Sequence, residues 1–352
     1  MSVHLWLRAE QRPNETRTPL TPDGAAALIA EGFRVSVERA RTRIIPDAGY
    51  AEAGCDMVPE NGWPDAPRDA VILGLKELPD DGTPLPHTHV MFGHAYKDQP
   101  AGRRLLKRFR AGGGTLIDLE YLTDDAGRRV AAFGYWAGYA GAAVALKCWT
   151  AQVRGGSCGA LQSWPDAEHL RADLAAELDA TGTPRPDALT IGALGRVGTG
   201  VSDLCRALDV PVIGWDMAET ARGAPFPEVL DHALFFNCIL AQPGTPVFVP
   251  ADTGARDRRL RVIADIACDP DSDFSPIRVY DRATDWHTPA LRVHDTPPLD
   301  VTAIDNLPSL LPLESSQDYA AQLLPTLARL ADPDDPVLAR AKKTFRDHLA
   351  RL

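Results

Sequence analysis

Lys76 and Glu77 directly follow the apolar run Val71 to Leu75, and His94, Lys97 and Gln99 come just after a second such run, Val90 to Phe92. Glu120 follows a third, Leu116 to Leu119, with Arg128 and Arg129 close behind, and Arg17 lies in an earlier loop, Asn14 to Thr18. Taken singly, each has an ordinary reading. Lysines and arginines are usually solvated surface charges, a lone histidine is usually a structural residue, and Glu120 could simply pair with Arg128. Their recurrence at equivalent strand ends sets them apart, because parallel sheets gather ligands at the carboxyl ends of their strands. The residue types suit proton transfer. Histidine titrates near neutral pH unaided. Lysine needs its pKa brought down from about 10.4; burial and a neighbouring cation would do this, while Glu77 and Glu120 would oppose it. Arg17 and Arg129, with Lys97, can grip carboxylates and so suggest a substrate that carries several. His87 and His89 could be two ligands of a metal site, but no third ligand has sensible spacing, so no metal is expected.

A second constellation spans 189–220, LTIGALGRVGTGVSDLCRALDVPVIGWDMAET. A short strand, Leu189 to Ile191, runs into Gly192, Gly195, Gly198 and Gly200, then a helix-like stretch, then a second strand ending at Asp216. Glycines let the backbone approach a pyrophosphate whose charge a helix N-terminus favours. An acid at the second strand's tip can hold ribose hydroxyls and repel a 2′-phosphate, which points to NAD rather than NADP; Arg222 nearby weakens that preference. Ala193 stands where the first glycine of G-x-G-x-x-G belongs, so a plain glycine turn is the competing reading.

The elements around these residues alternate. Thr21 can cap a helix that has Pro22 in its first turn and runs through Ala25 to Glu31. Phe33 to Glu38 reads as a strand, Ala48 to Ala53 as a short helix, and Gln99 to Ala111 as an amphipathic helix with Leu105, Leu106 and Phe109 on one face. Such repetition implies an α/β fold, a parallel sheet covered by helices. Phe133 to Trp149 carries small residues at helical spacing, which reads as a close-packing helix joining two domains. After the polar stretch Gln152 to Asp187, with a helix at Ala167 to Leu178, a second sheet is expected from Leu189 to Ile191, Val212 to Trp215, Ala233 to Phe236, Val262 to Ile266 and Ile277 to Tyr280. Helices at Tyr319 to Leu330 and Pro336 to Leu349 complete the reading.

The 352 residues suffice for two domains. A net charge of −11 argues against a broad nucleic-acid footprint. No apolar run is long enough to span a membrane, and no secretory signal is expected from the N-terminus. The six scattered cysteines form no C-x-x-C pair, consistent with reduced thiols in a cytoplasmic protein. Nothing in the sequence fixes the oligomeric state; it leans towards a monomer.

Together these stretches resemble the NAD-dependent, lysine-forming saccharopine dehydrogenases. The resemblance rests on LRAEQRPNETRTPLTP at 7–22, GLKELP at 74–79, FGHAYKDQ at 92–99, GTLIDLEYL at 114–122, GRRVAAFGYWAGYAG at 127–141, IGALGRVGTG at 191–200, WDMAET at 215–220, LRVIADIACDP at 260–270 and DNLPSLLPLESS at 305–316, in order along nearly the whole chain. It implies an architecture like that of alanine dehydrogenase and transhydrogenase: two Rossmann-like domains with an active-site cleft between them. Residues 1–134 with 308–352 would bind substrate and 135–307 would bind NAD. The implied reaction is reversible: saccharopine, NAD and water give lysine, 2-oxoglutarate and NADH. By the same resemblance, Lys76 and His94 are the acid–base pair and Glu77 and Glu120 tune it. Arg17, Lys97, Gln99, Arg129 and Phe133 contact substrate; Arg128, Gly195, Arg196, Asp216, Thr220, Ile266, Ile304, Asp305, Asn306 and Leu307 contact the cofactor. Val197, Leu240, Ala267 and Asn306 depart from the family pattern, all on the nucleotide side. The rival readings are an amino-acid or imine dehydrogenase with a different amine, a non-catalytic NAD-binding module, and a structural relic of the fold.

Overall fold

The computed structural model describes residues 2–12, 14–97, 99–270 and 272–352. They divide into two compact units, Met1–Ala132 with Pro312–Leu352, and Phe133–Leu311. The first unit runs β1 (His4–Leu7), α1 (Pro22–Ala30), β2 (Arg34–Glu38), α2 (Asp47–Glu52), β3 (Asp56–Val58), β4 (Val71–Leu73), β5 (Thr88–Met91), α3 (Pro100–Gly112) and β6 (Thr115–Asp118). The second runs α4 (Gly134–Val153), α5 (Ala167–Asp179), β7 (Ala188–Ile191), α6 (Arg196–Ala207), β8 (Val212–Trp215), α7 (Met217–Thr220), β9 (Leu234–Asn237), β10 (Val262–Asp265), β11 (Leu291–Asp295) and β12 (Pro298–Thr302). The chain then returns to the first unit as α8 (Pro312–Leu327) and α9 (Pro336–Ala350).

The first sheet has the order β3-β2-β1-β4-β5-β6 and is parallel throughout. Strand order therefore reverses between β1 and β4, and a crevice opens at the carboxyl ends of that neighbouring pair. The element ends follow local chemistry. Thr21 accepts a hydrogen bond from Gly24 N at the start of α1, with Pro22 in the first turn. Gly113, at φ 75°, closes α3 in the left-handed conformation. Leu105, Leu106 and Phe109 turn the apolar face of α3 inward, and Phe109 meets Phe345 of α9 edge-on.

The second sheet has the order β11-β12-β10-β9-β7-β8, parallel except for the antiparallel pair β11/β12. Its reversal point lies between β7 and β9, beside the glycine loop. Helix α4 belongs wholly to this unit and crosses α6 at very short range. A Cβ on Gly138 would lie 1.9 Å from the Val197 carbonyl oxygen, and one on Gly200 would lie 2.0 Å from that of Tyr135. Glycine is required at both points by the backbone of the facing helix.

Several expectations need correction. Ile277 to Tyr280 is not a strand; Ile277 makes only an isolated bridge to Val249, and the Tyr280 hydroxyl donates to Asp265 instead. The edge of the second sheet is the β11/β12 pair, where Pro297 and Pro298 mask the strand pattern. Helix α8 begins at Pro312, well before Tyr319, because the Ser316 hydroxyl is satisfied inside the helix by donating to the Pro312 carbonyl. Strand β1 is not legible in the sequence, since four buried residues, HLWL, show no alternation. Among the described residues no helix is long and apolar enough to cross a membrane, and no cluster of three or more metal-ligating side chains occurs.

Candidate active site

In the first unit, the loops leaving β1, β4, β5 and β6 carry the candidate proton-transfer and carboxylate-binding residues. Lys76 is half-buried, three residues past β4. Its backbone is clamped from the loop after β1: the Glu10 carboxylate accepts from Leu75 N at 2.7 Å and Lys76 N at 2.9 Å, and the Arg8 guanidinium donates to the Lys76 carbonyl. Burial lowers the Lys76 pKa, helped by the Arg17 and Arg12 charges and opposed by Glu15 and Glu77. Glu77 itself is 3.6 Å from Arg12.

His94 follows β5 with φ 46°, a left-handed backbone that a non-glycine residue seldom adopts. Its ring is about half exposed and stacks on Phe92, with centroids 6.1 Å apart. Partial burial lowers its pKa first; Glu77 and Glu120 raise it, while Lys76 and Lys97 lower it. Glu120 is the hub of a small ion cluster. Its Oε1 lies 3.3 Å from Lys97 Nζ and 4.0 Å from an Arg129 terminal nitrogen, and its Oε2 lies 3.8 Å from His94 Nδ1. Arg128 is not its partner: it is exposed and pairs with Asp124 at 2.9 Å. Arg17 is almost fully buried and forks onto Glu15, with bonds of 2.8 and 2.6 Å. A substrate carboxylate reaching Arg17 would therefore share it with Glu15. Gln99 is exposed at the start of α3 and makes no capping bond.

Sequence reasoning missed Arg8, Glu10, Arg12 and Glu15, because β1 had not been recognised. Had HLWL been read as a buried strand, the loop that follows it would have fallen at the same sheet edge as Lys76. It also missed Asp118, the last residue of β6, which looks like an ordinary strand-end acid.

In the second unit, Gly192 leaves β7 at φ 88°, and Gly195 begins α6 with no side-chain cap. A Cβ on Gly198 would lie 2.3 Å from the Gly192 carbonyl oxygen, whereas one on Gly195 would meet only that same oxygen, at 3.5 Å. The tight turn and the uncapped helix start together form a cradle of the kind that holds a pyrophosphate, so the residues fit NAD. Arg196 opens α6 at the same point. Asp216 sits at the end of β8, where its carboxylate accepts from Leu194 N at 3.0 Å and Met217 N at 2.9 Å. It is thereby aimed beside the glycine loop. The Thr220 hydroxyl donates back to the Asp216 carbonyl. Arg222 ion-pairs with Glu228 and lies over the Trp215 and Phe226 rings. The side chains of Ile266, Ile304 and Leu307 are buried in the core, with Ile266 and Leu307 packed over Gly141. Asp305 is exposed and Asn306 half-buried in the turn before the next helical segment. Phe133 caps α4 at the opening of this unit. Leu194, Met217 and Leu240 expose large apolar side chains; Met217 follows Asp216 in sequence, and Leu194 reaches it through its backbone N–H.

Comparison with known proteins bears on the whole chain. The alanine dehydrogenase/PNT N-terminal domain family matches residues 6–140. Among solved structures, an L-alanine dehydrogenase superposes with a TM-score of 0.70 at 18% identity, covering 98% of this chain and 100% of that one. A transhydrogenase from Sinorhizobium meliloti superposes at 0.65 and 16% identity, covering 96% and 97%. Both show the fold: two mostly parallel sheets clothed in helices. A saccharopine dehydrogenase [NAD(+), L-lysine-forming] from Schizosaccharomyces pombe is 42% identical over 367 residues, covering all of both chains. At that identity and coverage, the chain belongs to the NAD-dependent, lysine-forming saccharopine dehydrogenase family.

Proposed function

We infer that this protein is an NAD-dependent oxidoreductase acting on a CH–NH bond: with water it cleaves saccharopine to L-lysine and 2-oxoglutarate, reversibly, forming NADH and a proton. The observation that carries this reading is full-length similarity to enzymes of that name, joined to a strand-end set with a pKa-lowered lysine and a carboxylate-flanked histidine. The bound cofactor supplies the hydride acceptor. The lowered Lys76 pKa favours a neutral Nζ that takes the proton from the secondary amine nitrogen. His94 then moves protons to and from the water that hydrolyses the resulting substrate imine. Glu77 and Glu120 hold both groups against losing their protons too readily, since each carboxylate favours the charged form of its neighbour. Arg17, Lys97, Gln99, Arg129 and Phe133 orient the polycarboxylate substrate.

The first unit is the substrate domain and the second the NAD domain. There Gly195 and Arg196 approach the pyrophosphate and Asp216 takes the ribose hydroxyls, with Thr220, Ile266, Ile304, Asp305, Asn306 and Leu307 lining the cofactor; Arg128 is the further cofactor contact that the family resemblance implies. The Asp216 carboxylate at the end of β8, beside the glycine loop, supports NADH over NADPH. We further propose a cytoplasmic, monomeric enzyme. The test is steady-state NADH oxidation with 2-oxoglutarate and one amine at a time: lysine, ornithine, diaminopropane or ammonia, with NADPH as control. Turnover with lysine and NADH is expected to dominate. Turnover with another amine would move the reading to a related imine dehydrogenase, and NADH binding without turnover on any of them would make the protein a binding module.

A further inference from the structure

The loops that carry His94 and Glu120 leave two neighbouring strands, and one buried carboxylate ties them together. Asp118 ends β6 with no exposed surface. Its Oδ1 accepts from Glu120 N at 3.0 Å and its Oδ2 from Gly93 N at 3.3 Å. The first bond starts the short helical turn that bears Glu120. The second grips the residue just before His94. Gly93 fits there because it lacks a side chain: a Cβ would lie 2.6 Å from Leu116 Cδ2 and 3.2 Å from Asp118 Oδ2. His94 then turns through its left-handed backbone, a conformation that persists only where the surroundings over-determine it.

We propose that Asp118 is the positioning residue that sets His94 and Glu120 against each other, by holding the loops after β5 and β6 in one hydrogen-bonded bridge. This rests on the assignment of His94 and Glu120 to the chemistry given above. The structural alternative is a strand-end acid that merely satisfies two backbone donors. The bridge goes beyond that, because both donors lie within one residue of a group in the proton-transfer set, and the two loops contribute opposite partners of the 3.8 Å His94–Glu120 contact. The charged and titratable groups around Asp118 are Glu120, Lys97, Tyr96, Tyr121 and Tyr319. Burial and the nearby Glu120 charge push the Asp118 carboxyl up to about 7, while the two backbone bonds and Lys97 pull it down.

The test is Asp118→Asn in the full chain. The amide keeps the size but can accept only one of the two N–H groups well. Losing one of the two backbone bonds and so misplacing a reacting group should lower kcat about 10- to 100-fold. NADH affinity, read by fluorescence titration, should stay within about twofold, because the groups assigned to the cofactor's pyrophosphate and ribose lie in the other unit. The kcat limb that disappears in His94→Gln should move to lower pH, since a drifting Glu120 supports the imidazolium less. Asp300→Asn is the control. Asp300 is equally buried, bonded to Gln152 and Arg292 in the second unit, and its loss should lower stability without moving that limb. A folded Asp118→Asn with wild-type kcat and pH profile overturns the proposal, as does a change that the Asp300 control reproduces. If Asp118→Asn does not fold, Asp118→Ser is read in the same way; failure of both to fold assigns Asp118 a purely structural role and also overturns the proposal. A wild-type chain that does not oxidise NADH with lysine and 2-oxoglutarate refutes the functional reading instead.

Discussion

Gly138→Ala offers a sharp test of the packing that builds the nucleotide unit, because two effects of opposite sign compete there. Gly138 lies inside helix α4, where alanine is the better helix former by about 1 kcal/mol. On propensity alone the substitution should stabilise. Against that, the new methyl would sit 1.9 Å from the Val197 carbonyl oxygen, whereas unstrained contacts to carbon lie near 3.5 Å. Helices α4 and α6 would have to part by about 1.5 Å, since the obstacle is backbone and no rotamer change relieves it. Overpacking costs about 1–3 kcal/mol, and a rigid backbone obstacle at this range belongs at the upper end, so a net loss of about 2 kcal/mol is expected once propensity is subtracted. Parting the helices also shifts the first turn of α6, which holds Gly195 and the glycine loop, so NADH affinity should fall as well. Urea unfolding followed by tryptophan fluorescence, with NADH titration in parallel, reads both. Gly200→Ala strikes the same crossing from the other helix, 2.0 Å from the Tyr135 carbonyl oxygen. In the double variant the second methyl should cost less than it does alone, because the helices are already apart. An unfolding midpoint for Gly138→Ala at or above wild type, with NADH affinity unchanged, would refute the close-packing argument.

Three further outcomes are expected. Lys76→Met and His94→Gln should each slow turnover about 10²- to 10⁴-fold with NADH binding largely intact; wild-type turnover in both would end the acid–base assignment. Glu120→Gln removes the anion 3.8 Å from His94 while leaving Lys97 nearby, so His94 should bind its proton more weakly and titrate at lower pH by NMR; an unchanged or higher titration would show that the contact carries no electrostatic weight. His89 is fully buried between Trp63 and Phe109, and burial, with Arg8, His87 and Arg108, holds its pKa well below 6.5. The unfolded chain therefore takes up the proton first, and this contribution to stability, complete above about pH 6.5, is lost as pH falls towards the folded pKa. His89→Leu should accordingly lose less stability than wild type between pH 7.5 and 5 in urea titrations, with His4 and His94 leaving a residual slope of the same sign and Asp118 one of the opposite sign; equal losses would exclude His89 as the source.

Much of this molecule was legible in the order of its residues. Local rules are short-ranged, so Thr21–Pro22 announced a helix start, Gly192 to Gly200 announced a turn into a helix, and Lys76, His94 and Glu120 could be placed at strand ends by counting from apolar runs. The nine ordered segments by themselves carry the resemblance to the family that full-length similarity shows. Tertiary structure decided what depends on partners distant in sequence. Only the pairing of β1 with β4 brings Glu10 to the backbone of Leu75 and Lys76, 65 and 66 residues away. Only the pairing of β5 with β6 lets Asp118 reach Gly93 and lets Glu120 choose Lys97 and Arg129 over its sequence neighbour Arg128. Side-chain type states which proton a group can carry; how readily it does so is set by burial and by charges that the fold delivers from other strands.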